Sequence, residues 1–256
     1  MKSNSTEGRI GRAIGRSELG SPQRKRRYNE NLFAVVAPRY DLVTRFLSFG
    51  RDQWWKQRLV KLTPRRSVST VMDLACGTGD ITLLLQNRFP EATVTGLDLT
   101  EGMLTRARRR PTSGDRTPRF VQGDMNELPL PDGTADVISG GYALRNAPDL
   151  AQTLHEIHRV LRPRGTAHFL EFSAPQQPLL RGLEYRILRF WGQLWGVILH
   201  GDAEVYAYIA RSLRAFPDAP DLEEIARQTG FEVLHSPFLM AGMMRILRLR
   251  KRSGES

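Results

Sequence analysis

Val71-Met-Asp-Leu-Ala-Cys-Gly-Thr-Gly-Asp80 is the stretch of sequence that decides the fold, and a second apolar run that ends in Gly96-Leu-Asp-Leu99 follows it. An apolar run that ends in a glycine-rich turn predicts a strand, a turn and a helix. Glycine lets a ligand approach the backbone, and the first turn of the helix offers free N–H groups. The segment therefore predicts a nucleotide-type site, with the carboxylate of Asp98 placed for a ribose diol.

The residues around the turn distinguish between nucleotides. A dinucleotide fingerprint needs a third Gly or Ala three residues after the second glycine, but Thr82 follows Gly77 and Gly79 at that position. Asp73 and Asp80 bracket the turn and should repel a pyrophosphate. S-adenosylmethionine has a ribose and an adenine, but it carries positive charge and no phosphate. We therefore predict S-adenosylmethionine as the cofactor and Asp73 as part of its site.

Composition places the chain among ordinary globular proteins. Its 256 residues, 40% hydrophobic and 25% charged, suit one α/β domain. No apolar run approaches the roughly 18 residues that span a bilayer, and the polar N-terminus is not a secretory signal. Cys76 is the only cysteine, which excludes an internal disulfide. We expect a cytoplasmic protein, and no cluster of residues has the spacing of metal ligands.

The net charge of +11 is concentrated at the N-terminus, where residues 1–27 contain eight Lys or Arg and two Glu. This segment has few large apolar residues, so we predict a disordered basic tail over 1–27 and a single domain over 28–256. The run Arg24-Lys-Arg-Arg27 could contact anionic lipid or nucleic acid, or it could simply be solvated.

Predicted strands and helices alternate through the centre of the chain. The strands lie at about 70–75, 92–97, 119–122, 135–140 and 166–172, the intervening helices at about 79–88, 101–110 and 149–162, and a closing pair of strands begins at Phe231 and Met243. This alternation predicts an α/β fold with a doubly wound, mostly parallel seven-stranded sheet. The ligand should lie at the carboxyl ends of the strands, beside the first strand.

Two helical segments decorate the predicted sheet. Residues 28–66 form an N-terminal helical cap, and residues 178–217 form an inserted helical lid. The lid contains Trp191 and Trp195, with Leu188, Leu194 and Ile198 around them. These tryptophans could touch a membrane surface, or they could pack inside the lid over an acceptor pocket. The sequence leaves both interpretations open.

Five sets of residues resemble the class I S-adenosylmethionine-dependent methyltransferases of quinone biosynthesis, which act on demethylmenaquinone and on the polyprenyl benzoquinol precursor of ubiquinone. In chain order they are Tyr40-Asp41 with Ser48-Phe-Gly50 and Trp55-Lys56; Asp73-Leu-Ala-Cys-Gly-Thr-Gly-Asp80; Ala143-Leu-Arg-Asn146; Arg159-Val-Leu-Arg-Pro-Arg-Gly165 with Glu171-Phe-Ser173; and Tyr206, Tyr208, Ser212 and Phe216-Pro217. The resemblance extends from about residue 31 to about residue 242. It implies a Rossmann-like methyltransferase fold and C-methylation of a polyprenylated quinol.

The resemblance also implies roles for the cofactor residues. Gly77, Thr78 and Gly79 would hold the methionine end, and Asp98 would bind the ribose hydroxyls. Asp124 would accept from the adenine amino group, with Met125 beside the ring, although Asp124 could instead be a turn or helix-capping residue. Gly141 follows the fourth strand at the cofactor site, where the family usually has a serine.

Three residues are candidates for the catalytic chemistry. Arg145 and Asn146 follow the fourth strand, beside the predicted methyl position. An arginine can stabilise a developing phenolate, and an asparagine can orient a hydroxyl or a water. Tyr40 could close over the same pocket from the cap or could serve only to pack it. Tyr40 and a water held by Arg145 are both open choices for the proton acceptor.

The expected partners are a lipophilic quinol and, peripherally, an anionic membrane at the inner face. A homodimer or a quinone-biosynthesis complex would also be compatible with the resemblance. Two other acceptor classes stay open: another hydrophobic molecule such as a sterol or lipid phenol, and, less favoured, a nucleic acid or protein. Base methyltransferases usually carry Asn/Asp-Pro-Pro-aromatic after the fourth strand, where this chain has Ser139-Gly-Gly-Tyr142. We therefore expect no nucleic-acid partner.

Overall fold

The computed structural model describes residues 21–64, 66–112, 116–173, 177–201 and 203–253. Most of the predicted basic tail, residues 1–20, lies outside the described residues. The remainder of that tail is not disordered, because helix α1 (Pro22–Val36) begins at Pro22 rather than at residue 28. Proline suits the first turn of a helix, and Lys and Arg are good helix formers. The helix is anchored by the buried side chains of Tyr28, Leu32 and Val36.

The described residues form eight strands, which make one mixed sheet. Their bounds are β1 (Thr70–Leu74), β2 (Thr93–Asp98), β3 (Arg119–Gln122), β4 (Ala135–Gly141), β5 (Leu161–Phe172), β6 (Phe231–Val233), β7 (Phe238–Leu239) and β8 (Met244–Lys251). Along the sheet the order is β3-β2-β1-β4-β5-β8-β6, and β7 pairs with β8 beside this path. The prediction of a doubly wound, mostly parallel seven-stranded sheet is confirmed. β7 was not predicted, because two residues are too short to show a strand period.

The pairing directions explain the strand patterns. The first five strands pair in parallel, whereas β8 runs antiparallel to β5 and β6. Parallel strands are covered on both faces and so read as nearly continuous apolar runs. In β4, every residue from Ala135 to Gly140 is buried. Two apolar clusters result, one on each face of the sheet.

Four helices cover the sheet faces: α4 (Asp80–Arg88), α5 (Glu101–Arg108), α6 (Leu150–Val160) and α9 (Ala219–Gln228). Helix α4 begins directly after the glycine turn, and its N-cap residue, Gly79, has a φ of 87°. A positive φ of this kind favours glycine, since it has no Cβ. Asp149 caps α6 by accepting from the backbone N–H of Gln152. Because β1 and β4 pair in parallel, their carboxyl ends lie at the same edge of the sheet, and these two helices begin beside them.

The N-terminal cap consists of α1, α2 (Tyr40–Leu47) and α3 (Asp52–Lys61). A short 3₁₀ turn, Ala37–Arg39, joins the first two helices, and a turn with Phe49 and Gly50 at positive φ precedes the third. The lid consists of α7 (Pro178–His200) and α8 (Glu204–Ala215). The lid packs onto the cap through an apolar cluster that includes Val36, Val43 and Trp195. No helix among the described residues is long and apolar enough to cross a membrane.

Candidate active site

A cavity lies at the carboxyl ends of β1, β2 and β4, under helix α1. Its position is the one that the strand alternation predicts for the ligand. Five of the predicted cofactor residues line it: Gly77, Asp98, Asp124, Met125 and Gly141. We call it the cofactor cavity. Sequence reasoning missed the walls that come from elsewhere in the chain, which include Asn29, Phe33, Thr100 and Met103.

Asp98 ties the end of β2 to the glycine turn. One carboxylate oxygen accepts from the backbone N–H of Gly77 at 2.8 Å, and the other accepts from the backbone N–H of Thr100 at 2.8 Å. Burial raises the pKa of Asp98, and these two N–H donors oppose that rise by stabilising the anion. The carboxylate therefore serves the local fold and also faces the cavity.

Asp124 stabilises a turn, as one of the two sequence interpretations expects, and it also lines the cofactor cavity. Its Oδ1 accepts from the backbone N–H of Asn126 at 2.9 Å, which is a turn-stabilising bond. Its Oδ2 lies 3.2 Å from Nη1 of Arg26 in helix α1, and the residue also lines the cofactor cavity. Arg26 belongs to the segment that was predicted to be a tail. One arginine of the basic run is thus paired with a residue of the cavity wall.

Three predicted cofactor residues do not line the cavity. Asp73 is buried and accepts from the hydroxyl of Thr82 at 2.6 Å, and burial raises its pKa to about 7. Thr78 donates to Oδ1 of Asp41 at 2.6 Å, which links the glycine turn to the cap. Gly79 is required for packing, because a Cβ there would lie 3.1 Å from the ring of Phe120. The structure gives these residues roles in holding the turn.

The electrostatic argument against a pyrophosphate is also wrong. Asp80 pairs with Nζ of Lys56 at 2.6 Å and with Arg110, and Gln53 donates to it at 2.9 Å. Although burial opposes the effect, Lys56 and Arg110 hold the pKa of Asp80 below its usual value. With Asp80 compensated and Asp73 buried away from the cavity, the turn does not present the negative charge that the sequence suggested.

A second cavity lies between the cap and the lid. Its walls are mostly apolar and come from α1, α2, α7 and the C-terminal segment around Met240 to Met244. We call it the acceptor cavity. Its apolar walls suit a lipophilic ring rather than a charged molecule.

Four residues line both cavities and form the boundary between them: Phe33, Tyr40, Tyr142 and Asn146. Tyr40 and Asn146 were predicted, whereas Phe33 and Tyr142 were not. Tyr142 has a φ of 59°, which is uncommon for a residue with a side chain. The sequence offered one signal for Tyr142 as a site residue, which is its position directly after β4, at the carboxyl edge of the sheet.

The backbone at Tyr142 is held by its neighbours. Its N–H donates to the carbonyl of Leu170 at 2.7 Å, and its carbonyl accepts from Nδ2 of Asn146 at 2.8 Å. The carbonyl of Asn146 accepts in turn from Nδ2 of Asn29 at 2.7 Å. Asn146 therefore positions the boundary and connects it to helix α1.

Arg145 lies in the 3₁₀ turn Leu144–Asn146, lines the acceptor cavity and is only 5% exposed. Its guanidinium lies 5.3 Å above the ring of Phe172, and Nη1 donates to the hydroxyl of Ser212 in the lid. Nearby Glu171 is buried, and its Oε1 accepts from the backbone N–H of Leu144 at 2.6 Å. Burial raises the pKa of Glu171 to about 7, although the positive charge of Arg145 stabilises the carboxylate and opposes this rise.

Tyr40 lies over the glycine turn. A Cβ at Gly77 would be 3.6 Å from its ring, and Phe33 meets the ring edge-on at 6.4 Å between centroids. Burial raises the pKa of Tyr40 to about 12, so its hydroxyl is protonated at neutral pH. Tyr40 therefore contributes a hydrogen-bond donor and an aromatic wall at the boundary.

The lid tryptophans pack against aromatic rings of the cap, as one of the two sequence interpretations expects. Trp195 stacks on Phe46 at 4.2 Å, and Trp191 stacks on Phe49 at 5.2 Å. The Trp191 indole N–H donates to the carbonyl of Phe46 at 3.3 Å, and its side chain lines the acceptor cavity. Their role is to join the lid to the cap over the cavity.

Two solved methyltransferases share this architecture. An S-adenosylmethionine-dependent methyltransferase of Thermotoga maritima, titled a possible histamine N-methyltransferase, has a TM-score of 0.62 at 19% identity and covers 87% of this chain and 99% of its own. A putative methyltransferase of Haloferax volcanii, solved with its Trm112 activator, also has a TM-score of 0.62, at 17% identity, and covers 86% of this chain and 98% of its own. The fold is therefore that of the S-adenosylmethionine-dependent methyltransferases.

Relatives in sequence show which family of methyltransferases the chain resembles. The demethylmenaquinone methyltransferase of Thermus thermophilus is 38% identical over 79% of this chain and 92% of its own length. The 2-phytyl-1,4-naphtoquinone methyltransferase of Nostoc punctiforme is 36% identical over 87% and 97%. The ubiquinone/menaquinone biosynthesis C-methyltransferase UbiE of Desulfotalea psychrophila is 34% identical over 85% and 87%. The family model described as the ubiE/COQ5 methyltransferase family matches residues 22–248, and the chain belongs to that family of methyltransferases.

Proposed function

We propose that this protein uses S-adenosylmethionine to methylate a ring carbon of a lipophilic quinol. The observation that carries the proposal is the boundary between the two cavities, where Phe33, Tyr40, Tyr142 and Asn146 face both. A polar cofactor and an apolar acceptor bound on either side would meet at these four residues. The names of the sequence relatives, which specify demethylmenaquinone and related naphthoquinones, support this acceptor class.

The residues of the cofactor cavity fit S-adenosylmethionine. Asp98 and Asp124 supply carboxylates, as a ribose diol and an adenine amino group need, and Met103 and Met125 supply soft apolar walls for a flat ring. Gly123 and Gly141 in its wall leave no room for a side chain, since a Cβ at Gly123 would lie 2.7 Å from Leu97 and one at Gly141 would lie 2.6 Å from Ile81. When bound, the cofactor supplies an electrophilic methyl group on a sulfonium.

The protein itself orients the acceptor and stabilises charge. Loss of the hydroxyl proton from a quinol makes the ring electron-rich, and the guanidinium of Arg145 would stabilise the resulting phenolate inside an apolar cavity. Ser212 and Phe172 hold Arg145 in place. Tyr40, which stays protonated at neutral pH, would donate a hydrogen bond at the boundary.

The hydroxyl proton of the quinol would pass to water, and a proton would return to the product phenolate at the end. The ring carbon would gain the methyl group, and the electron pair of the bond that breaks would stay on sulfur. The same ring carbon would then give its own proton to water, which restores the aromatic ring. Apolar walls around the acceptor exclude bulk water and strengthen the attraction between Arg145 and the phenolate.

The test is methyl transfer by the full chain with labelled cofactor, using short-chain demethylmenaquinol and a short-chain benzoquinol precursor as separate acceptors. The oxidised quinones are matched controls, since they lack the electron-rich ring. We expect label on carbon with at least one quinol and none with either quinone. Cofactor binding without methylation of either quinol would contradict the proposal. A sterol and a lipid phenol in the same assay test the remaining hydrophobic acceptors.

A further inference from the structure

Helix α7 exposes large apolar side chains along most of its length. They are Leu183, Ile187, Phe190, Leu194, Val197 and Ile198, with exposed fractions from 38% at Leu194 to 67% at Phe190. At 100° per residue, their spacing of three, four and seven places them on one face of the helix. We call this set the α7 face.

The neighbouring side of α7 is already occupied. Trp191 and Trp195 stack on Phe49 and Phe46, and Leu199 packs against the cap. Helix α7 is therefore apolar over two adjacent sides, and only one of them is covered by the described residues. An exposed apolar patch beside charged residues marks a contact surface.

The α7 face continues into the acceptor cavity. Ile187 lines the cavity and is also 43% exposed, and Phe49 lines the cavity and is 58% exposed. The cavity wall here is thus a single layer of side chains with solvent beyond it. A partner that covers the α7 face would therefore also lie beside the acceptor cavity, where a lipophilic molecule enters or binds.

Four exposed arginines lie near the α7 face in the described part of the chain. Arg186 and Arg189 lie beside it on the same helix, and both are exposed. Exposed Arg45 and Arg51 flank the turn that carries Phe49. None of these four arginines forms an ion pair within the described part of the chain. The only acidic residue of α7, Glu184, is 4% exposed and so adds no surface charge.

We propose that the α7 face is an interfacial docking surface that lies on an anionic lipid bilayer. An apolar helical face supplies the insertion, and the nearby arginines attract anionic headgroups. The inference rests on the proposed function, because docking would place the acceptor cavity against the membrane that contains the quinol. The sequence expectation placed the contact on the basic tail and on the Trp191 and Trp195 helix with Leu188, Leu194 and Ile198; the structure narrows it to the exposed side of that helix, away from the tryptophans.

The test is co-sedimentation of the full chain with vesicles of phosphatidylcholine and phosphatidylglycerol, and with phosphatidylcholine alone. The variant is Phe190→Gln with Val197→Gln. The matched control is Val121→Gln with Phe238→Gln, which removes two exposed apolar side chains from other surfaces. We expect the α7 variant to bind the anionic vesicles about tenfold more weakly, which is a loss of about 1.4 kcal/mol in binding free energy. The control should bind like the native protein. Binding should also fall in high salt and with phosphatidylcholine alone.

Two results would overturn the proposal. One is equal vesicle binding by the native chain and the α7 variant. The other is a native dimer in sedimentation velocity that the α7 variant converts to a monomer, since a second copy would then cover the face. Vesicle binding does not depend on turnover, so α7-dependent binding without quinol methylation would support docking and contradict only the proposed function. Thermal unfolding of both variants shows whether they are folded.

Discussion

The carboxylate of Asp98 lies 2.8 Å from the backbone nitrogen of Gly77 and bridges the carboxyl ends of β2 and β1. The two residues are 21 positions apart in the chain. The bond holds the glycine turn against the cofactor cavity, and it leaves Asp98 as one of two carboxylates that line that cavity.

Replacing Asp98 with Ala should weaken binding of S-adenosylmethionine by about 1–3 kcal/mol, because hydrogen bonds to a charged group are lost. Isothermal titration calorimetry measures the change. Glu101→Ala is the control, since Glu101 is an exposed carboxylate at the start of the next helix. Unchanged affinity in Asp98→Ala would remove this residue from the cofactor site.

Replacing Arg145 with Lys should lower kcat by about a hundredfold or more, as expected when a preorganised charge donor is lost, and should leave cofactor affinity nearly unchanged. Lysine keeps the charge but not the planar fork that stacks on Phe172. Ser212→Ala, which removes only the anchoring hydroxyl, should show a smaller loss in the same assay. Single-turnover methyl transfer alongside cofactor titration separates the two effects. Full turnover by Arg145→Lys would show that the guanidinium geometry is not needed.

Replacing Tyr40 with Phe should reduce turnover without changing the shape of the rate profile between pH 6 and pH 9. The pKa of Tyr40 is raised to about 12 by burial, so its hydroxyl stays protonated over this range and does not titrate. The wall over Gly77 is kept by the Phe ring. The kcat/KM profile of both proteins is the measurement. Loss of a titrating limb in the variant would instead identify Tyr40 as the base.

Asp73→Asn should stabilise the protein at pH 8 by roughly 1–3 kcal/mol. The folded pKa of Asp73, about 7, lies above its ordinary value of 3.8. The folded state therefore keeps a proton that the unfolded chain releases, and the free energy of unfolding falls as pH rises from about 4 to 7. Asparagine is neutral throughout and can still accept from Thr82.

Urea unfolding at pH 5 and pH 8 tests this prediction. The native protein should lose more stability between the two values than the variant does. Glu171, whose folded pKa is also about 7, contributes in the same direction, so part of the pH dependence should persist. A variant that is less stable than the native protein at pH 8 would contradict the assignment.

The sequence by itself determined the elements whose signals are local. The apolar run and glycine turn at 71–80 predicted β1 and the start of α4, because strand burial and positive φ both restrict residue types. The alternation that followed predicted the sheet. Asp98, Gly141, Arg145 and Asn146 could be placed at its carboxyl edge because each directly ends or follows a strand.

Only the tertiary structure decided which side chains face a cavity. Asp73 and Asp80 flank the same turn, yet Asp73 is turned to Thr82 and Asp80 to Lys56, which lies 24 positions earlier in the chain. Arg26 reaches Asp124 because α1 folds back over the sheet. The tryptophans of α7 turn inward because Phe46 and Phe49 offer rings to stack on, while Phe190 stays exposed. The orientation of these side chains depends on contacts between segments that are distant in the chain. A local pattern of residues holds no information on the energies of such contacts.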